Sequence, residues 1–167
     1  MTILPANWDQ LTGGPLVIVQ GATNGDTWLL TDGLGAIYNL VGKSAKLQFR
    51  TRKGVATPFL ELSTSNGGIR LDTVLGTLTW DIPAIAPVYD NGHTYAVGNV
   101  ITYSGLSYRC IQTSLGVLPT DTLYWIPTLL SGDISVDSAV WDLELISVDG
   151  VDRLVEGTMV LSRRVTA

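Results

Sequence analysis

The sequence contains one cysteine, one histidine and few charges, and each scarcity removes a class of function. A lone Cys110 cannot close an intramolecular bridge, so the chain does not read as a disulfide-stapled secreted scaffold, and its thiol is expected to be buried. A zinc site needs three or four His, Cys or carboxylate ligands at suitable spacing. With a single His and a single Cys none is expected, and His93, in the turn-like Asp90-Asn91-Gly92-His93, reads as a turn histidine in solvent. Ten Lys and Arg against 15 Asp and Glu leave a net charge of −5 and a pI near 4.6. That balance offers no cationic stripe for nucleic acid or for an anionic membrane surface. No run reaches the roughly 18 apolar residues of a membrane span, and Met1-Thr2-Ile3-Leu4-Pro5 lacks a positive region followed by an apolar one. The expectation is a soluble product that stays in the cytoplasm where it is made.

Signs of catalysis are equally sparse. No phosphate-binding loop, dinucleotide fingerprint or serine elbow is present. The acids sit mainly in turn contexts, at Asp26, Asp32, Asp90, Asp133, Asp149 and Asp152, where a short carboxylate bonds its own backbone. Asp142 and Glu144 share one face of a predicted strand and would be the only acid pair. A solvated or interface-facing strand edge explains them better, since no His, Lys or second acidic cluster accompanies them. No catalytic residue, cofactor or enzymatic activity is assigned.

What the chain does have is strand chemistry. Its 18 glycines and 7 prolines cut it into short segments rich in Val, Ile, Thr, Leu and Trp, which favour pleated geometry. Residues 45–52 alternate strictly, with Ala45, Leu47, Phe49 and Thr51 against Lys46, Gln48, Arg50 and Arg52, so Arg50 and Arg52 should line a polar face. The same period recurs at Leu78, Trp80 and Ile82 and at Trp141, Leu143 and Leu145. Further strands are predicted at Leu16–Val19, Trp28–Thr31, Phe59–Leu62, Ile69–Leu71 and Leu154–Leu161, the last running on towards Val165. Turn signals stand at Asn24-Gly25, Asp32-Gly33, Asn66-Gly67-Gly68 and Asp149-Gly150. No helix is predicted, and the fold class expected is all-β, a sandwich.

Composition changes abruptly between residues 86 and 128. Five of the six tyrosines lie there, Tyr89, Tyr95, Tyr103, Tyr108 and Tyr124, while the only formal charges are Asp90, Arg109 and Asp121. Pro83, Pro87 and Pro127 bracket the stretch and would stiffen its two connections. The division predicted is a discontinuous sandwich of residues 1–85 and 129–167 with a small three-stranded β module inserted at 86–128. A unit of about 40 residues is marginal alone, so its aromatics must supply its core. Charged residues make up only 15% of the chain against about 25% in typical domains, which suits a surface largely covered by neighbouring subunits.

Seven fragments carry a resemblance. They are Gln20-Gly21-Ala22-Thr23, Asn39-Leu40-Val41-Gly42, Leu47-Gln48-Phe49-Arg50, Leu60-Glu61-Leu62-Ser63-Thr64, Asn66-Gly67-Gly68-Ile69, Trp141-Asp142-Leu143-Glu144-Leu145 and Gly157-Thr158-Met159-Val160-Leu161. In this order, spread over residues 12–82 and 138–166, they resemble the immunoglobulin-like N-terminal domain of phage upper-baseplate and tail-attachment proteins. The resemblance implies an immunoglobulin-like sandwich and a non-enzymatic structural role in the virion. Its partners would be other tail, baseplate or capsid proteins, in a trimeric or hexameric homo-oligomer. A capsid decoration protein needs the same two-part design.

The inserted stretch is similar to chitinase-type carbohydrate-binding modules through Tyr95, Gly98-Asn99-Val100, Tyr103, Gly105, Tyr108, Pro119 and Trp125. That similarity implies adhesion to a host-surface polysaccharide, or the alternative role of an accessory unit of a polysaccharide-degrading enzyme. The glycan-binding candidates are Tyr89, Tyr95, Tyr124 and Trp125, with Tyr89 and Tyr124 near the module's ends expected to be better exposed. In so small a module such rings more often form the core, with hydroxyl or indole groups reaching the edge. The segment after Tyr108, Arg109-Cys110-Ile111-Gln112-Thr113-Ser114, lacks the adjacent aromatics on which that family's sugar stacking depends.

Overall fold

A computed structural model describes residues 2–4, 12–32 and 34–163, without the side chains of 2–4, 12–15 and 152–154. Met1, Pro5, Gly33 and Val165, to which the sequence reading extends, lie outside the described residues. The fold is all-β, and its one helical element among the described residues is a 3₁₀ turn at Ser131–Asp133.

Two sheets build a sandwich. The first has the order β1-β3-β7-β6, from β1 (Thr2–Leu4), β3 (Asn24–Leu30), β6 (Ile69–Asp72) and β7 (Thr77–Ile82). The second has the order β2-β14-β13-β4-β5, from β2 (Thr12–Val19), β4 (Ser44–Arg50), β5 (Leu60–Ser63), β13 (Ser138–Ser147) and β14 (Gly150–Ser162). Pairing is antiparallel except at β1 with β3 and β2 with β14. The second sheet joins strands from before and after residues 86–128, so the sandwich is discontinuous.

Period-two patterning explains the core. Ala45, Leu47 and Phe49 of β4 face inward, as do Leu78, Trp80 and Ile82 of β7 and Trp141, Leu143 and Leu145 of β13. Side chains from both sheets meet in one cluster. At its centre Trp28 of one sheet lies 5.7 Å from Trp141 of the other and 5.7 Å from Trp80, centroid to centroid. The opposite faces carry polar side chains: Arg50 donates to Asp142 and to Gln48 on the outer face of the second sheet.

Several sequence readings need correction. The strand at residues 45–52 ends at Arg50, and Arg52 lies exposed in the bend beyond it. Asn24-Gly25 opens β3 instead of forming the turn. Asn24 clamps the preceding turn from the side, its amide donating to Val19 O and Ala22 O while its Oδ1 accepts Val19 N–H. The positive φ of that turn belongs to Gly21. Asp26 and Asp152 lie inside β3 and β14 rather than in turns, and Asp26 Oδ2 accepts the Trp28 indole N–H at 2.9 Å. Asp142 and Glu144 are not on a strand edge, because β13 runs between β4 and β14. Asp142 is buried there and ion-paired with Arg50. The turn at Asn66-Gly67-Gly68 is as read, with Asn66 Oδ1 accepting the N–H groups of Ser63 and Gly68.

Candidate functional site

The stretch the sequence marks by its tyrosines forms a body of five short strands. A sheet of order β12-β10-β9 comprises β9 (Val100–Tyr103), β10 (Leu106–Cys110) and β12 (Trp125–Thr128), and β8 (Thr94–Tyr95) pairs with β11 (Ser114–Leu115). The β9–β10 hairpin turns through Ser104 at φ 50° and Gly105 at φ 79°, the paired left-handed conformations that match the right-handed twist of a two-residue hairpin. Gly105, part of the aromatic pattern in the sequence, is there for the turn.

The module has a hydrophobic cluster of its own. Tyr95, Ile101, Cys110 and Trp125 are buried, with Tyr89, Tyr103, Tyr108, Val117 and Tyr124 packed against them. Tyr108 and Cys110 face this cluster because they alternate along β10, which sends Ser107 and Arg109 to the other face. Trp125 anchors the cluster: its indole N–H donates to Val117 O at 3.1 Å, and its ring lies 5.2 Å from Tyr95 and 6.2 Å from Tyr89. The Tyr95 hydroxyl accepts Asp90 N–H at 2.7 Å and donates to Asp90 O at 3.2 Å, closing the loop that leads into β8.

This packing corrects the assignment of a sugar platform. Tyr95 and Trp125 are 4% and 1% exposed and present no ring face to a saccharide. Tyr89 and Tyr124 are half-buried against the same cluster. Stacking on sugar needs exposed, roughly coplanar rings, whereas Tyr89 meets Tyr103 and Trp125 edge-on at 83° and 85° and covers Tyr95 by stacking at 22°. The aromatics have turned inward because so short a segment needs large side chains to fill a core, here together with Ile101, Cys110 and Val117. His93 is exposed in its turn, its ring 4.8 Å from that of Tyr95. Cys110 is buried, and burial pushes its thiol pKa up. Among the described residues no group of three or more His, Cys, Asp or Glu is placed to hold a metal ion.

The Tyr89 hydroxyl is buried and has no hydrogen-bond partner among the described residues. Burial raises its pKa first, with further increments from Tyr95, Tyr103 and Asp90. Burial disfavours the phenolate, so this group leaves stability unaffected below the ordinary phenol value near 10 and lowers it as pH climbs from there through the raised folded value. Tyr89→Phe keeps the ring contacts and removes the stranded hydroxyl. Stability should stay level or rise by up to about 1 kcal/mol, and the latest-titrating phenol should vanish from a spectrophotometric alkaline titration. A loss above about 1 kcal/mol would show that the hydroxyl is bonded after all.

Faces that the sequence reading did not single out carry the module's accessible chemistry. Leu106, Leu115, Leu118 and Leu123 are exposed. Of the module's three charged side chains Arg109 is buried, which leaves Asp90 and Asp121 as the charges on its outside. The signal available beforehand was the leucine content of residues 115–123 beside a single acid. Fold and site together define an all-β protein whose discontinuous sandwich carries an aromatic-cored module with apolar, nearly uncharged outer loops. Comparison of the sequence with known protein families and with curated proteins finds no match.

Proposed function

We propose that this chain is a structural protein of a tailed-phage virion, a tail or baseplate component that docks on other virion proteins and on copies of itself. The strand order is the observation that carries the reading. Taking β3, β4, β5, β6, β7, β13 and β14 as strands B to G with an added C′, the two sheets read A-B-E-D and A′-G-F-C-C′, an order that supports an immunoglobulin-like reading. The Trp28–Trp141 pair joins strands B and F across the core, where antibody domains place their disulfide. Residues 86–128 then occupy the E–F connection. This agrees with the resemblance to phage attachment domains, as does a surface poor in charge that exposes Leu34, Val74 and Leu75 at turns of the sandwich and leucines on the module. Large apolar side chains left at the surface suit contacts with protein neighbours. With its rings inside, the module serves best as a rigid spacer packed against neighbouring subunits.

Antibodies against the purified chain, applied to phage particles whose genome encodes it, should decorate the tail or baseplate in electron micrographs. Labelling confined to the shell would make it a capsid decoration protein, and particles without label would remove the virion role. In parallel, a glycan array probed with multivalent protein should be blank. A saturable signal there would restore adhesion as the module's task.

A further inference from the structure

We infer that this chain docks head to tail on a second copy of itself: the apolar tip of the sandwich, led by Leu34, enters the cleft beside Val55 and Val140 at the opposite end of the next copy. The inference rests on the self-docking proposed above and names the two surfaces that meet.

The tip is built by two turns that hold apolar side chains out in solvent. In the connection from β3 to β4, Asp32 Oδ1 accepts the N–H groups of Leu34 and Ala36, each at 2.9 Å. Between β6 and β7, Asp72 Oδ1 accepts those of Val74 and Leu75, each at 2.9 Å. Leu34 is 96% exposed and Val74 83%. The two turns adjoin, since Leu30 N–H donates to Gly76 O at 2.9 Å and a Cβ built on Gly76 would lie 2.1 Å from Ile37 Cγ2. Leu34, Ile37, Val74 and Leu75 therefore stand at one end of the sandwich. Single exposed leucines are ordinary, but a group of apolar side chains on adjoining turns marks a contact surface. The turn from β13 to β14 lies at the same end, because Ile146 pairs with Ser44, and it brings the exposed Asp149. Among the described side chains there, Asp32, Asp72 and Asp149 stand against one cation, Lys43. The tip is acidic as well as apolar.

A cleft of about 560 Å³ opens at the other end of β4, a strand that spans roughly 20 Å. Val55 and Ala56 of the β4–β5 connection wall it on one side, Val140 and Thr158 on the other. Register sets Arg50, Val140 and Thr158 in one row across the outer face of β4, β13 and β14. The volume is that of an ordinary binding cleft, so it admits an aliphatic side chain with part of its turn. Two ion pairs cancel most of the charge around it: Arg50 with Asp142, and Lys53 with Glu156 at 2.9 Å. Arg52, exposed in the same connection, adds a cation beyond these pairs.

Shape and charge then choose between the ways two copies can meet. Tip against tip would set three aspartates against three. Cleft against cleft would bring two recesses together and leave both tips bare. Tip in cleft places a projecting leucine in an apolar recess and the tip's acids beside Arg52 and Lys53, the pairing that is complementary in both respects. Contact between two unlike surfaces repeats from copy to copy, and it closes into a ring where the rotation permits.

Sedimentation velocity of the whole chain at rising concentration tests this. The unaltered chain should pass from monomer to species larger than a dimer. Leu34→Asp removes the projecting side chain, and Ala56→Glu puts a carboxylate at the cleft. Both positions are exposed, and each variant alone should associate at least about tenfold more weakly. Mixed, the two should form a one-to-one pair and nothing larger, because the Leu34→Asp chain keeps a working cleft and the Ala56→Glu chain a working tip. That recovery also shows that both variants are folded. An unaltered chain that stays monomeric, one that stops at a dimer, or a mixture no more associated than its parts would each overturn the contact. Particle labelling reports separately, since a chain that associates head to tail but labels no particle would keep this contact and lose the virion role.

Discussion

Trp125→Ala should unfold the module and leave the sandwich standing. The indole is 1% exposed, packs on Tyr89 and Tyr95, and ties the 116–124 loop down through Val117 O. Removing a buried aromatic of this size costs about 3–5 kcal/mol. A unit of about 40 residues has little more than that to lose. The hydrogen bonds of β9, β10 and β12 lie within the module, so the loss stays local in the sense of a separately cooperative unit. Hydrogen exchange should show module amides exchanging without protection, with β4, β7 and β13 protected as before. Uniform loss of protection across both parts would mean that the two clusters fold as one, and uniform retention would mean that Trp125 is not the anchor.

Trp141→Ala is the corresponding change in the sandwich, and its effect should be global. Trp141 sits on β13, between β4 and β14, with its indole N–H donating to Thr158 O at 3.1 Å and its ring against Trp28, which also meets Trp80. The substitution removes the residue through which the two sheets meet at the centre of the core. Expected destabilisation is about 3–5 kcal/mol, or a fall in melting temperature of roughly 6–20 °C for a chain of this size. The near-ultraviolet circular dichroism of the tryptophan cluster should weaken even below the transition. A shift under about 1 kcal/mol would show that the sheets do not depend on this contact.

How much of this was legible beforehand follows from what each signal measures. The period of two at residues 45–50, at Leu78, Trp80 and Ile82 and at Trp141, Leu143 and Leu145 reports a local backbone geometry, and it named the buried faces of β4, β7 and β13 correctly. The shift to tyrosine and away from charge reported that residues 86–128 fill a core of their own. The site was read less well. The pattern of Tyr95 and Trp125 fits a sugar platform and a core alike, because aromatic spacing looks the same whether the rings face a sugar or each other. Asp26 has the residue type of a turn acid, and its place inside β3, where it accepts the Trp28 indole N–H, follows from the pairing of that strand. No local pattern tells which strands flank β13, so the interior position of Asp142 is not legible in the sequence.

By itself the sequence determined that the fold would be all-β, which faces of the strongly alternating strands would be apolar, and that one segment would stand apart in composition. These follow from short-range sterics and from the alternation of side chains along an extended backbone. Only the tertiary structure decided that β13 and β14 would complete a sheet begun by β2, β4 and β5, that the tyrosines would turn inward, and that Arg109 would be buried. Those outcomes depend on contacts between residues far apart in the chain, and which contacts win depends on closing both cores at once.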